Sequence, residues 1–222
     1  MADGSGGPDP RHPAQVRAVY DEIASHFSQT RAYPWPEVED FLAGVDGGRR
    51  GIDIGCGNGR HAAVLAAEVE HVLAVDASSE LLFEARERLD PAVSLVQGDA
   101  ARLPVASGTV DVGLYVAALH HLPDRETRVE SLRELSRVLA EGGNALVSAW
   151  STAHDRFEDY DGTEADGFDT TIDWTLPGGE ERERFYHIYA PAEFEADLRS
   201  AGLTVSEAYV SSGNCYAEVR PK

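Results

Sequence analysis

The stretch IDIGCGNGR places glycines at 55, 57 and 59 directly after an apolar run that carries one acid, Asp53. Glycines so spaced let a backbone turn sharply and come close to a ligand. In a doubly wound sheet that turn lies at the carboxyl end of the first strand, where ligands bind. A dinucleotide fingerprint reads G-x-G-x-x-G. Here Arg60 stands at its third glycine and the glycine comes one residue early, which argues against a nicotinamide dehydrogenase. An acid at 53 suits loop amides or, through water, an ammonium group. S-adenosylmethionine (SAM) carries such an ammonium; a dinucleotide does not. Asp76 closes the next apolar run, VLAVD, 21 residues beyond Gly55, where an acid accepts from ribose hydroxyls or caps a following helix. Asp99, in GDAARLPV, suits the adenine amino group with the Ala100 backbone beside it, or a capped turn. In this order and spacing the three acids point to SAM as cofactor, and the binding set also takes in Gly55, Cys56, Gly57, Ala77 and Ala117.

Acceptor-side chemistry has other candidates. VAALHHLPD ends a fourth apolar run in His120 and His121. In an extended strand neighbours point opposite ways, so one histidine, His120, is expected to face the acceptor and the other to bond locally. ERERFYHIY supplies Arg184, Tyr186 and His187, expected beside a helix start at the pocket edge; an arginine fork matches a carboxylate or phosphate, the alternative being a salt bridge to nearby acids. HFSQTRAYPWP carries Arg31, Tyr33 and a Trp35 held between two prolines.

The elements that must position these residues alternate. Apolar spacing from Pro13 to Thr30 is helical, and PEVEDFLAGV suggests a second helix. Strands follow at RRGIDIG, HVLAVDAS, AVSLVQGDA, TVDVGLYVAAL and NALVSAW, separated by helical runs, one of which, RETRVESLRELSRVLA, stops at Gly142 and Gly143. Such alternation predicts an α/β fold, a mostly parallel sheet with helices on both faces. TVSEAYVSSGNCYAEVR reads as a terminal antiparallel hairpin, which makes the expected architecture a seven-stranded, Rossmann-like class I methyltransferase. Residues 1–12 read as a disordered leader and 13–222 as one domain, with an N-terminal helical cap over 13–46. An acidic stretch over 151–183, with Tyr160, Phe168 and Trp174, reads as a lid.

The 222 residues carry a formal charge of −20, and Lys222 is the only lysine. An acidic, lysine-poor surface suits a salt-rich cytoplasm, where at ~1 M salt screening acts within about 3 Å; net charge therefore does not exclude RNA. No apolar run reaches the ~20 residues of a membrane span, and the start lacks signal-peptide regions, so a cytoplasmic location is expected. Cys56 and Cys215 match no metal-ligand spacing, and no metal is expected in this chain.

Four blocks, VYDEIASHFSQTRAYPWP, GIDIGCGNGR, VAALHHLPDRETRVESLRELSRVLAEGG and RFYHIYAPAEFEADLRSAGL, span most of the chain. Together they resemble the tRNA wobble-uridine methyltransferases that esterify 5-carboxymethyluridine. That resemblance implies a tRNA substrate, acceptor-site roles for residues matching Arg31, His120 and Arg184, and a heterodimer with a small zinc-binding activator subunit. The activator would add a strand near residues 92–97, at Val93, Leu95 and Val96, and any zinc would be its own. The family's NWY-like element reads NCYAEV here, with Cys215 in the aromatic position. A SAM-dependent methyltransferase of a small-molecule acceptor, such as a quinone precursor or a metabolite acid, and a SAM-binding regulatory or scaffold subunit without turnover, are the alternatives.

Overall fold

The computed structural model describes residues 9–158 and 166–222. Most of the expected leader, and Tyr160 of the acidic stretch, lie outside these.

Helix α1 (Pro13–Thr30) opens with proline at its first position, where the missing N–H costs nothing, and with His12 Nδ1 accepting from the Ala14 amide. It turns Val19 and Ile23 inward. After α2 (Pro36–Ala43) come β1 (Gly48–Ile54), α3 (Arg60–Glu68), β2 (Val69–Asp76), α4 (Ser79–Arg88), β3 (Ser94–Gln97), β4 (Val110–Val116), α5 (Arg125–Val138), β5 (Leu139–Trp150), β6 (Phe168–Thr175), β7 (Glu181–Ile188), α6 (Pro191–Ser200), β8 (Leu203–Ser211) and β9 (Asn214–Pro221). Seven strands form one sheet in the order β3-β2-β1-β4-β5-β9-β8. Pairing is parallel from β3 to β5 and antiparallel at β5–β9 and β8–β9. The chain runs outward from β1 to β3 and returns to β4 on the other side, so the switch point lies between β1 and β4, where open α/β sheets bind ligands.

Two apolar layers hold the helices to the sheet. Leu132, Leu135, Phe194 and Leu198 from α5 and α6 pack on one face. Phe41, Leu65 and Ala85 from α2, α3 and α4 pack on the other. Leu65, Leu114 and Leu132 are wholly buried, each such side chain contributing ~1.5–3 kcal/mol by leaving water.

Three readings of the sequence need correction. β4 stops at Val116, because Ala117 has φ 55 and leaves the extended region; the two histidines therefore sit on a 3-10 turn, Leu119–His121, not on the strand. α5 ends at Val138, four residues before Gly142, because β5 already pairs with β4 at Val110↔Leu139. The acidic stretch contains strand β6, which pairs antiparallel with β7; ERERFYHI is the second strand of this hairpin rather than a helix approach. The hairpin docks beside the end of β5, where the Tyr189 amide donates to the Trp150 carbonyl at 2.9 Å.

Candidate active site

A cavity of about 1080 Å³ opens over the carboxyl ends of β1, β2 and β4 and reaches α1 and the β6–β7 hairpin. Its floor is the glycine loop. Gly55 and Gly57 both have positive φ, and a Cβ on Gly55 would come within 2.3 Å of Ala118 Cβ, so only glycine closes this turn. Gly55, Gly57, Asp76, Ala77, Asp99, Ala100 and Ala117 all line the cavity. Cys56 and Asp53 do not. Cys56 turns its thiol into the core under the sheet, so only its backbone belongs to the loop. Asp53 lies beneath the loop, 1% exposed, with Oδ2 lacking any hydrogen-bond partner. Burial first, and then the nearby Asp76 charge, push its carboxyl up to about 7, while the Ala62 amide and Arg60 act in the other direction.

Asp76 Oδ2 accepts from the Gly57 amide at 2.8 Å and Oδ1 from the Ser78 amide at 2.8 Å. The carboxylate thereby ties the loop to the start of α4, and each oxygen retains a lone pair for a further donor. Burial raises the Asp76 carboxyl, against these amides. Asp99 Oδ1 accepts from the Ala101 amide at 2.9 Å in its turn. The donor set fits SAM: an unsatisfied buried carboxylate below the loop, a two-oxygen acid at the tip of β2, and a third acid beyond β3.

The wall beside the loop, reached through Phe27, is aromatic and cationic. Arg31 and Arg184, 153 positions apart in sequence, set their guanidiniums 5.3 Å and 4.8 Å from the ring of one indole, Trp174. Trp174 Nε1–H donates to His26 Nδ1 at 3.0 Å, which fixes the ring between α1 and the hairpin. Neither guanidinium belongs to any ion pair among the described residues, despite 39 acids in the chain. Arg184 reaches the Tyr20 hydroxyl at 3.5 Å, and its buried Nε has no partner.

Both histidines line the cavity, with ring centroids 4.4 Å apart. His121 Nδ1 lies 2.8 Å from the Phe185 carbonyl and so donates to it; Nε2 is left to accept from the Tyr20 hydroxyl at 2.7 Å. Burial lowers His121 to about 3, against the Phe185 bond. His120 Nδ1 accepts from the Trp150 amide at 3.1 Å, which leaves its proton on Nε2. Burial, and then the nearby His121, hold His120 well below 6.5. Its ring stacks on Tyr186 at 4.9 Å. Two neutral imidazoles thus sit beside two permanent cations.

Strand alternation sorts the FYH segment. Arg184 and Tyr186 share the cavity face of β7, whereas His187 points the other way and bonds Asp169 and Glu193 at 2.8 and 3.2 Å. His187 is therefore a tie between hairpin and α6, not a pocket residue. Trp35 lines the cavity while packing on the core beneath, 5.8 Å from His61 and 6.4 Å from Tyr216. Sequence reasoning overlooked Tyr20, Trp150 and Asn214, which also line the site. Tyr20 sits at a helical core spacing and reads as packing; nothing local marks its hydroxyl.

This topology and this loop define a class I methyltransferase fold. Residues 52–143 match the methyltransferase-domain family model. Solved structures agree in fold: a Haloferax volcanii methyltransferase complexed with the Trm112 methyltransferase activator superposes with TM-score 0.71 at 18% identity, covering 93% of this chain and 98% of that one. A DhpI–S-adenosylhomocysteine complex gives 0.70 at 23% identity, covering 93% and 96%. The chain is 31% identical over 212 residues to the tRNA (carboxymethyluridine(34)-5-O)-methyltransferase of Schizosaccharomyces pombe, covering 86% of this chain and 90% of that protein. It belongs to the tRNA carboxymethyluridine methyltransferase family. The Saccharomyces cerevisiae enzyme of the same name is 37% identical over 73% of this chain, and mouse ALKBH8 41% over 61%. This chain spans 57% of the yeast protein and 20% of the mouse protein.

Proposed function

We propose that the chain transfers the methyl group of SAM to the carboxylate of 5-carboxymethyluridine at the tRNA wobble position, forming a methyl ester. The carrying observation is the convergence of Arg31 and Arg184 on one indole at the cavity, with no carboxylate among the described residues paired to either. SAM supplies a methyl group on a cationic sulfonium. The acceptor is already an anion at neutral pH, since free carboxylic acids titrate near 4, so no general base is required. Two low-pKa, neutral histidines beside the cations agree with that: neither is poised to take a proton at pH 7. The chain's work is then to orient the carboxylate and exclude water. Arg31 and Arg184 bind it, and His120, with its proton on Nε2, donates to the uridine or its carboxylate. Asp76 faces the donor's ribose and Asp99 its adenine from the cavity surface, while Asp53, buried beneath the glycine loop and outside that surface, acts on the donor's ammonium through the loop or a water.

The same reading includes an activator subunit. β3 is an edge strand of the sheet, with Leu95 and Val96 half-exposed and Val93 buried, a row onto which a partner strand can add. The complex of the Haloferax volcanii neighbour supports it. No described helix is long and apolar enough to cross a membrane.

The test is methyl transfer to tRNA bearing carboxymethyluridine. Arg31→Ala and Arg184→Ala should each lower kcat/KM by about 100-fold or more, the scale of removing one preorganised charged donor. SAM affinity by calorimetry should hold. Full turnover by both variants would end this assignment.

A further inference from the structure

The loop between α1 and α2 is bound by an unusual set of donors. Arg31 donates to the Thr30 carbonyl at 3.2 Å, Asn58 Nδ2 to the Arg31 carbonyl at 2.9 Å, Arg88 to the Ala32 carbonyl at 2.6 Å and Arg60 to the Tyr33 carbonyl at 3.4 Å. Four successive carbonyls are thus capped by side chains from α3, α4 and the glycine loop as well as the loop itself. Three of the four caps are guanidiniums. The loop they hold displays Tyr33, whose side chain is the most exposed large apolar group described, at 81%.

Like charges so gathered repel. Arg60 shows it: its guanidinium is lowered to about 10, by burial first and next by Arg31, with Arg88 adding to it and Asp53 opposing. Yet none of the three enters an ion pair among the described residues, in a chain whose formal charge is −20. Arg60 instead lies over the Trp35 ring at 4.9 Å. Among the described residues Arg125, Arg137, Arg182 and Arg199 pair with carboxylates and others such as Arg133 do not, so what distinguishes Arg31, Arg60 and Arg88 is that they are unpaired and gathered on one loop. A local concentration of uncompensated cations on an acidic molecule is the electrostatic footprint of a site for an anion from outside. Its layout gives the anion's direction: Arg31 and Arg60 line the cavity, while Arg88 and Tyr33 stand outside it.

We propose that Arg88 and Arg60 bind the backbone phosphate, and Tyr33 stacks the base, of the nucleotide next to the one whose side chain enters the cavity. This surface rests on the tRNA reading above. Arginine forks suit phosphate bidentately, and an aromatic ring accepts any base face. The phosphate also satisfies donors that the protein leaves free. With a repulsive global field, association depends on this patch rather than on steering, so its loss falls directly on affinity.

Binding of carboxymethylated tRNA to the full chain, co-expressed with the activator subunit, tests this across several salt concentrations. Arg88→Ala should weaken binding about five-fold or more and reduce the slope of log K against log salt by about one. Tyr33→Ala should weaken it about five-fold or more with the slope unchanged. SAM affinity should stay within about two-fold in both, by the thermodynamic test of calorimetry, and Arg133→Ala on exposed α5 surface should bind as the parent. Parental affinity and slope in Arg88→Ala, or parental affinity in Tyr33→Ala, overturns the proposal. So does a loss of SAM affinity equal to the loss of tRNA affinity in Arg88→Ala, which would assign the anion site to the donor's carboxylate. An equal loss in Arg133→Ala would reduce the effect to net charge. If the parent itself neither binds nor methylates the tRNA, the functional reading falls and this surface with it; parental turnover with indifferent variants sinks the surface alone.

Discussion

Asp53 shows what burial does to one acid. Its carboxyl titrates near 7 rather than at 3.8 because the ionised form is desolvated and faces Asp76. The folded chain therefore holds a proton that the unfolded chain releases near pH 4. The associated stability is fully present below that pH and is lost as pH rises through about 7. Bringing an ammonium group near the carboxylate favours the ionised form, so SAM binding at pH 6 should expel close to one proton. Calorimetry in buffers of different ionisation enthalpy measures that number; it should fall toward zero by about pH 8.5 and be abolished in Asp53→Asn. A proton count near zero at pH 6 in the parent would mean that Asp53 does not face the donor's charge. The same logic bears on the rate profile: His121, already neutral above about 3, should contribute no limb between pH 5 and 8.

The β6–β7 hairpin carries Arg184 and Trp174 to the site, and its ties to α1 differ greatly in strength. Arg182 pairs with Glu22 across the two elements, but both side chains are substantially exposed, and such pairs contribute ~0–1 kcal/mol. Trp174 is 8% exposed and packs with Val19 and Ile23; truncating a buried tryptophan costs ~3–5 kcal/mol. Arg182→Ala should accordingly leave the denaturation midpoint nearly unchanged, while Trp174→Ala should lower it and also remove turnover by releasing both guanidiniums. Urea titration beside the methyl-transfer assay separates the two; a Trp174→Ala protein of parental stability would show that the hairpin docks by other means. This element also marks what the sequence made legible. The glycine loop is readable because the close approach to Ala118 admits one residue type and so writes itself into the chain. The parallel sheet is readable because buried strands need continuous apolar runs. The hairpin is written less plainly. Ile172 and Trp174 do alternate with polar residues and PGG does mark a turn, yet the acidic composition masks a period of two. Equally, adjacent histidines look like opposed strand residues until Ala117, a non-glycine at positive φ, bends them onto one turn. Tyr20 could not be found at all, since its hydroxyl gains meaning only from His121 and Arg184, 101 and 164 positions away.

At the scale of the whole molecule, 39 acids against 19 bases set the conditions under which the fold is favoured. Net charge far from zero destabilises the compact state by self-repulsion, and the ion pairs that offset it here are mostly at the surface, where each contributes little. Added salt shortens the screening length from about 10 Å at 0.1 M to about 3 Å at 1 M, which relieves repulsion between acids several ångströms apart; direct contacts such as Arg125–Asp197, whose carboxylate is buried although its arginine is exposed, are screened less than those distant pairs. If screening recovers ~1–2 kcal/mol, the melting temperature of a chain this size should rise by about 2–8 °C. Melting curves in potassium chloride from 0.1 to 2 M measure this. Sodium sulfate at matched ionic strength separates screening from the general strengthening of apolar burial by excluded salts: equal rises at equal ionic strength support screening, and a rise in sulfate alone rejects it. The same titration opposes tRNA binding, because phosphate contacts weaken as counterions are added. Stability and substrate affinity should therefore move in opposite directions with salt, and the salt at which turnover peaks should lie below that at which the fold is most stable.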